Sequence, residues 1–284
     1  MFDCIIIGGG PAGISASLYL KRSNKNVLVL YKDESQLLKA HKIDNYYGFE
    51  EGISGKDLYD AGIKQAKNLG IDLRLEEVLD IQYGMDNYLV KSDKSIYETK
   101  YIILATGNKK LRPNIKGIID YEGKGVSYCA ICDGFFYKKK RIAVIGDSLY
   151  AKEEANVLKN VSEDIIILSN GKKIKNDDFK VIDKEIEALI GDEVLRQVVF
   201  KDGSTIDIDA CFIAIGSAGG ANFAKQLGIM MENELIITND NMETNINGIY
   251  ACGDLVKGIK QVNKAVYEGA IAALDIINKI NERK

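Results

Sequence analysis

The stretch that most restricts the fold of this 284-residue chain lies at its start. An apolar run from Phe2 to Ile7 passes directly into Gly8-Gly9-Gly10-Pro11-Ala12-Gly13, then into a segment with Ile14, Leu18 and Leu20 at helical spacing. A second apolar run, Val27 to Leu30, follows. Strand, glycine-rich turn, helix and strand make a βαβ unit, and G-x-G-x-x-G in that setting is a dinucleotide-binding fingerprint. Gly8 allows the tight turn, Gly10 lets backbone approach a pyrophosphate, and Gly13 lets helix pack on strand. Phosphates then sit at the helix N-terminus, where unpaired N–H groups and the helix dipole favour anions. Tyr31 and Lys32 stand where an acid for ribose hydroxyls is expected, and Asp33 and Glu34 come slightly late.

Further along, Asp57 to Leu69 has helical spacing and Gly70 is placed to end that helix. Val90 and Tyr101 to Leu104 read as strands, the latter meeting Ala105-Thr106-Gly107. A second βαβ unit is expected from a strand at 141–145, a turn at Gly146, a helix at 149–159 and a strand at 165–168. Lys201-Asp202-Gly203-Ser204 reads as a hairpin turn before a strand from Cys211 to Ile215. The run Gly248 to Cys252 reads as a strand ending in Gly253-Asp254, followed by a helix from about Val262 to Asn278. Pro113 and Thr244 to Asn247 read as two linkers. The expected fold is therefore α/β, with two Rossmann-like three-layer nucleotide-binding domains, the second inserted into the first. The expected boundaries are 1–112 with 246–284 for the first domain, and 113–245 for the inserted one.

Between the two units lies Cys129-Ala130-Ile131-Cys132-Asp133. Two cysteines at this spacing suit a small redox-active disulfide, or half of a zinc site. The zinc reading needs a second ligand pair. Cys4, Cys211 and Cys252 are scattered singly and His41 is the only histidine, so no metal is expected. Those three cysteines suit small buried positions, and His41 suits a loop. Five cysteines, few and odd in number, fit a cytoplasmic protein with one catalytic pair. A net charge of −3 implies no general attraction to nucleic acid or membrane. The apolar run at the N-terminus is too short to span a bilayer, and no basic region precedes it as in a signal peptide.

These motifs, in this order and over nearly the whole chain, resemble the low-molecular-weight, FAD-dependent thioredoxin reductases. By that resemblance Gly8, Gly10, Pro11, Ala12 and Gly13 are the FAD pyrophosphate loop, with Tyr31 and Lys32 after the second strand. Gln36 and the run Ile43 to Phe49, with Asn45, are similar to the flavin-contacting loop. Val78 takes the place where backbone meets adenine. Ala105, Thr106 and Gly107 look like the segment closing the FAD domain. Gly253 and Asp254 resemble the motif that holds the ribitol chain, and Lys260, Gln261 and Val262 the helix start at the pyrimidine end of the flavin. The family's roles then make Cys132 the thiol facing the flavin, Cys129 the interchange thiol and Asp133 the proton carrier. A rotating inserted domain and a homodimer are further implications.

The departures from the family carry as much as the matches. The second fingerprint reads Gly146-Asp147-Ser148-Leu149-Tyr150-Ala151, with serine for the second glycine, an acid beside the pyrophosphate position and a bulky tyrosine in the turn. Ser169-Asn170-Gly171 stands where arginines hold a 2′-phosphate, followed by Lys172 and Lys173. Gly216-Ser217-Ala218-Gly219-Gly220 has also drifted. The closest resemblance is therefore to the ferredoxin-dependent flavin thioredoxin reductases, which lack nicotinamide motifs. A related subgroup carries a C-terminal tail over the flavin; the ending Ile280-Asn281-Glu282-Arg283-Lys284 has no aromatic for that role.

The expected function is a disulfide reductase passing electrons from reduced ferredoxin or flavodoxin, through FAD and Cys129–Cys132, to thioredoxin. Plant-type ferredoxins lie near about −400 mV and thioredoxin near about −270 mV, so the transfer is downhill by roughly 6 kcal/mol over two electrons. The acidic donor calls for local positive charge, offered by Lys109-Lys110 with Arg112 and by Lys138-Lys139-Lys140-Arg141. Two alternatives are an NAD(P)H-dependent reductase with a divergent pocket, and a flavin-binding redox sensor without turnover.

Overall fold

The computed structural model describes residues 1–32, 35–107, 113–175, 177–215 and 219–282, with backbone only at Ile131 and Cys132. Asp33, Glu34, Lys109, Lys110, Arg112, Gly216, Ser217, Ala218, Arg283 and Lys284, which the sequence reading weighs, lie outside the described residues.

The chain divides into two units, Met1–Lys109 with Gly219–Lys284, and Lys110–Ala218. In the first, β1 (Phe2–Ile7), α1 (Pro11–Arg22) and β2 (Val27–Tyr31) form the expected βαβ unit. α2 (Gly55–Asn68) begins at Ser54, whose hydroxyl accepts from the Asp57 N–H, and is followed by Gly70 at φ +68°. Then come β3 (Asp72–Leu75), β4 (Val78–Tyr83), β5 (Tyr88–Ser92) and β6 (Ile96–Leu104). β6 carries two patterns in one strand. Ile96 to Lys100 alternates exposed and buried, as suits its antiparallel pairing with β5. Tyr101 to Leu104 is buried throughout, as suits a strand that is parallel on both sides.

The second unit contains β7 (Val126–Ser127), a short helix α3 (Ala130–Asp133), β8 (Ile142–Ile145), α4 (Leu149–Leu158), β9 (Ile165–Leu168) and β10 (Lys180–Ile182). An antiparallel sheet of β11 (Ile186–Gly191), β12 (Leu195–Phe200) and β13 (Thr205–Asp207) follows, then β14 (Ala210–Ile213). The parallel sheet runs β10-β9-β8-β14-β7.

The chain returns to the first unit with α5 (Gly220–Leu227), β15 (Met231–Glu232), β16 (Leu235–Ile236), β17 (Ile249–Ala251) and α6 (Val262–Glu282). The first sheet runs β3-β2-β1-β6-β5-β4, with β17 beside β6. This corrects the expected return at 246. Residues 219–245 pack on the first unit, not the inserted one. Tyr83 donates to the Leu227 carbonyl at 2.6 Å, the Gly220 N–H to Thr106 Oγ1 at 2.9 Å, and Ile236 bridges to Val256. Thr244 is no hinge, because its hydroxyl donates to the Ile249 carbonyl within the same unit.

α6 lies close against α1. A Cβ on Gly269 would stand 2.1 Å from the Ala12 carbonyl oxygen, and Ser15 donates to the Val266 carbonyl at 2.7 Å. Gly269→Ala is expected to lower stability by about 1–3 kcal/mol, the usual cost of overpacking, read from the urea unfolding midpoint.

Candidate active site

In the first unit, the glycines of the loop after β1 have distinct geometric reasons. Gly8 has φ +123°, and a Cβ there would stand 2.3 Å from the Ala105 carbonyl oxygen. A Cβ on Gly13 would stand 1.9 Å from the Gly8 carbonyl oxygen. A Cβ on Gly10 would meet only Ser35 Oγ, at 3.9 Å, so open space faces this residue. Gly10 starts α1 without a side-chain cap, and Pro11 follows it. The N–H groups of Ala12 and Gly13 in the first turn have no acceptor within the helix. Open space beside free N–H groups is what a pyrophosphate requires.

Other predicted residues gather in the same unit. Gly253, at φ +74°, brings its Cα hydrogens toward Ala12; a Cβ there would be 3.3 Å from the Ala12 Cβ. Half-buried Asp254 follows it. Ala105 and Val78 are buried, Thr106 accepts from Gly220, and Gly107 has φ +69°. Asn45 Nδ2 donates to Gln261 Oε1 at 3.0 Å, joining two residues far apart in sequence. Lys260 and Gln261 are exposed just before Val262 opens α6. Gln36 is exposed at the start of a 3-10 turn, Tyr31 ends β2, and Lys32 pairs with Glu77 at 3.3 Å.

One part of this unit is not legible in the motifs. Lys264 and Glu268, side chains 10% and 7% exposed, pair at 2.9 Å inside α6. Glu268 Oε2 accepts the Gly253 N–H and Lys264 Nζ donates to the Gly253 carbonyl, both at 2.8 Å. Both polar groups of the Gly253 peptide turn are thus held by one buried ion pair. Its signal in the sequence is only an i, i+4 Lys–Glu spacing, more often a surface pattern.

In the second unit, Cys129 is buried and disulfide-bonded and Cys211 is free and buried, as are Cys4 and Cys252 of the first unit. The side chain of Cys132 lies outside the described residues. Cys129 directly precedes α3, and Asp133 ends it. Ser127 Oγ donates to Asp133 Oδ2 at 2.6 Å and accepts the Cys129 N–H at 3.1 Å. Glu154, on α4, accepts the Ala130 N–H at 2.8 Å. Burial, and then the Asp133 carboxylate, push the Tyr137 hydroxyl pKa up. Phe135 and Phe136, 71% and 77% exposed, follow immediately. Neither Ser127 nor Glu154 has a motif to announce it; both act through contacts that only the fold creates.

The second nucleotide-like loop keeps one glycine of its fingerprint under steric constraint and carries other groups at the remaining positions. Gly146 remains obligatory, since a Cβ there would stand 2.2 Å from the Ala214 carbonyl oxygen. Lys172 is ion-paired with Asp147 across the loop. Ser148 Oγ is buried without a hydrogen-bond partner, and Tyr150 is buried in the first turn of α4. Asn170 Oδ1 accepts the Ile186 N–H at 2.8 Å, so this residue serves its own loop. In the basic run after α3, Lys140 pairs with Asp209 and Arg141 with Asp164, while exposed Lys138 and Lys139 form no ion pair among the described residues.

Residues 2–269 match the family described as pyridine nucleotide-disulphide oxidoreductase. The thioredoxin reductase of Ureaplasma parvum is 33% identical over 295 residues, covering 96% of this chain and 95% of that protein. The crystal structure of the atypical thioredoxin reductase TRi from Desulfovibrio vulgaris Hildenborough is similar at TM-score 0.93 and 36% identity, with 99% of each chain covered. A ferredoxin-flavin thioredoxin reductase from Clostridium acetobutylicum is similar at TM-score 0.74 and 30% identity, covering 99% of this chain and 98% of that one. The chain belongs to the pyridine nucleotide-disulphide oxidoreductases, as an FAD flavoprotein disulfide reductase of the thioredoxin reductase type.

Proposed function

We propose that this reductase takes its electrons from a one-electron carrier, ferredoxin or flavodoxin, and passes them to thioredoxin without a nicotinamide. The observation that carries this reading is the loop after β8. Its acid is ion-paired with Lys172, the first lysine after the Ser169-Asn170-Gly171 stretch. A dinucleotide phosphate there meets the Asp147 carboxylate and has no arginine to receive it. The competing reading, NAD(P)H-dependent reduction, is favoured by the description of the family itself.

In this reading Gly8, Gly10, Pro11, Ala12 and Gly13 hold the FAD pyrophosphate, with Asp254 at the ribitol and Asn45, Gln261 and the first turn of α6 at the flavin. Tyr31, Lys32, Gln36, Val78, Ala105, Thr106, Gly107, Gly253, Lys260 and Val262 complete that site. FAD supplies the exchange between single electrons and electron pairs. The Cys129–Cys132 disulfide takes up two electrons and two protons and opens to two thiols. Asp133, fixed by Ser127, moves the proton; the Cys129 thiolate then attacks the thioredoxin disulfide, releasing one acceptor thiolate, and Cys132 completes the exchange. Phe135 and Phe136 give the acceptor an apolar landing surface, and Lys138 and Lys139 give the acidic donor a positive one. The enzyme works as a homodimer in the cytoplasm.

Anaerobic titration of the purified yellow protein tests the donor. Reduced ferredoxin is expected to bleach the flavin and thioredoxin to restore its colour, with NADPH and NADH leaving the spectrum unchanged on the same timescale. Rapid bleaching by NADPH sinks the proposal in favour of the nicotinamide-dependent reading. Bleaching without thioredoxin turnover leaves a redox sensor.

A further inference from the structure

We propose that an acidic one-electron carrier protein docks on the first unit, at a surface formed by Tyr47, Lys257, Ile259 and Lys260. The inference rests on the reading of the donor as such a carrier, and says where it sits. Electron transfer weakens steeply with distance, so the donor has to touch the unit whose residues are proposed to hold the flavin. Lys138 and Lys139 belong to the other unit.

Two exposed segments supply the surface, and one hydrogen bond joins them. Asn45 Nδ2 donates to Gln261 Oε1 at 3.0 Å. Tyr47 stands two residues after Asn45 and is 96% exposed; Ile259 stands two residues before Gln261 and is 67% exposed. A lone exposed apolar side chain is ordinary, whereas two on segments tied together make a patch. Both segments are ordered by their own contacts. Tyr46 stacks on Phe49 with ring centroids 5.9 Å apart, which leaves Tyr47 between them to solvent. The Gln261 N–H donates to the Ile259 carbonyl at 3.1 Å. Gly258, at φ +132°, lies against Lys264, whose side chain is only 10% exposed; a Cβ there would stand 2.5 Å from Lys264 Cε.

Charge sets the kind of partner. Lys257 and Lys260 are exposed and form no ion pair among the described residues. Asp44, next to Asn45, is paired with Lys42 at 2.7 Å. Glu50 and Glu51 are exposed just after Phe49, so the positive charge of the surface lies on the 257–260 segment. Cations beside a small apolar patch suit an acidic protein that binds briefly, since redox encounters bury less than about 1,200 Å² in total. Each encounter oxidises one carrier by one electron. Two encounters, with two protons from solvent, break the Cys129–Cys132 bond and give two thiols.

The test is anaerobic stopped-flow bleaching of the flavin by reduced ferredoxin, in wild-type, K257E, I259S and K100E holoenzyme. Lys100 is exposed on β6, level with the start of β1 and so at the opposite end of the sheet from the Gly8 loop. K257E is expected to lower the second-order rate constant about tenfold at low salt, with the difference shrinking as salt is added. I259S is expected to lower it about threefold at every salt concentration, through lost apolar contact. K100E makes the same change of net charge and is expected to lower it less than about twofold. Dithionite needs no docking surface and is expected to bleach all four proteins at one rate. Equal ferredoxin rates for wild type and K257E, or equal losses in K257E and K100E, overturn the inference. So does a slower dithionite reaction in K257E, which places the change at the flavin. Loss of a dimer on gel filtration in I259S, with the ferredoxin rate unchanged, overturns it in favour of a contact between copies of this chain. If reduced ferredoxin leaves the wild type yellow, the donor reading fails and the surface falls with it; the surface alone fails only in the comparison of variants.

Discussion

Cys129→Ser is expected to abolish thioredoxin reduction, by on the order of 10³-fold or more in kcat/KM, because serine cannot form the mixed disulfide through which the exchange passes. None of the three other described thiols is able to substitute. Cys4, Cys211 and Cys252 are completely buried, in β1, in β14 and beside Gly253. Burial pushes all three thiols well above the ordinary range, with Asp3 adding to the effect at Cys4 and Glu268 at Cys252. A thiol that neither ionises nor meets solvent does not attack a partner's disulfide. The assay pairs steady-state thioredoxin reduction with flavin bleaching by the donor. Turnover is expected to vanish while bleaching survives, since the residues proposed to hold the flavin belong to the first unit. Appreciable turnover in the serine variant removes Cys129 from the mechanism.

Lys264→Met is expected to destabilise the first unit by about 3–5 kcal/mol, the usual consequence of stranding one partner of a buried ion pair. Glu268 keeps the Gly253 N–H but loses its only counter-charge among the described residues, with its side chain 7% exposed. The Gly253 carbonyl loses its donor in the same step. The double variant K264M/E268Q is expected to recover more than half of the loss, because glutamine still accepts the Gly253 N–H and carries no charge. Urea unfolding of both variants decides this. A single variant within about 1 kcal/mol of wild type means the pair contributes little, as exposed pairs do. FAD affinity is expected to fall with stability in K264M and return in the double variant, since the Gly253 turn follows the pair.

Most of the first unit is legible in the sequence because its signals are local. The fingerprint glycines, the apolar runs of β1 and β2, and Gly70 after α2 each report on a few neighbouring residues. β3 and β4 escape the reading because their half-buried faces lack a continuous apolar run. The return boundary is misread at 246 for a different reason. Thr244 to Asn247 is polar and looks like a linker, yet its polar groups are spent on the fold: Thr244 on Ile249, and Asn245 on Met230 and Gly228. The site divides along the same line. Cys129 and the glycines announce themselves by spacing, whereas Ser127, Glu154 and the Lys264–Glu268 pair owe their roles to neighbours that folding supplies.

The ion pair across the loop after β8 also bears on the history open to this chain. A lost binding site whose residues merely drift stays one or two substitutions from recovery. Here Lys172 and Asp147 stabilise each other, and Tyr150 is part of the core. Restoring glycine at Ser148 alone leaves an acid in the phosphate position; removing the acid alone frees a lysine in a loop with no ligand. The step that removes the acid gives up an ion pair before it gains anything. On the proposed reading, the loop after β8 acts as a ratchet, holding the lineage to a protein electron donor once that dependence has begun.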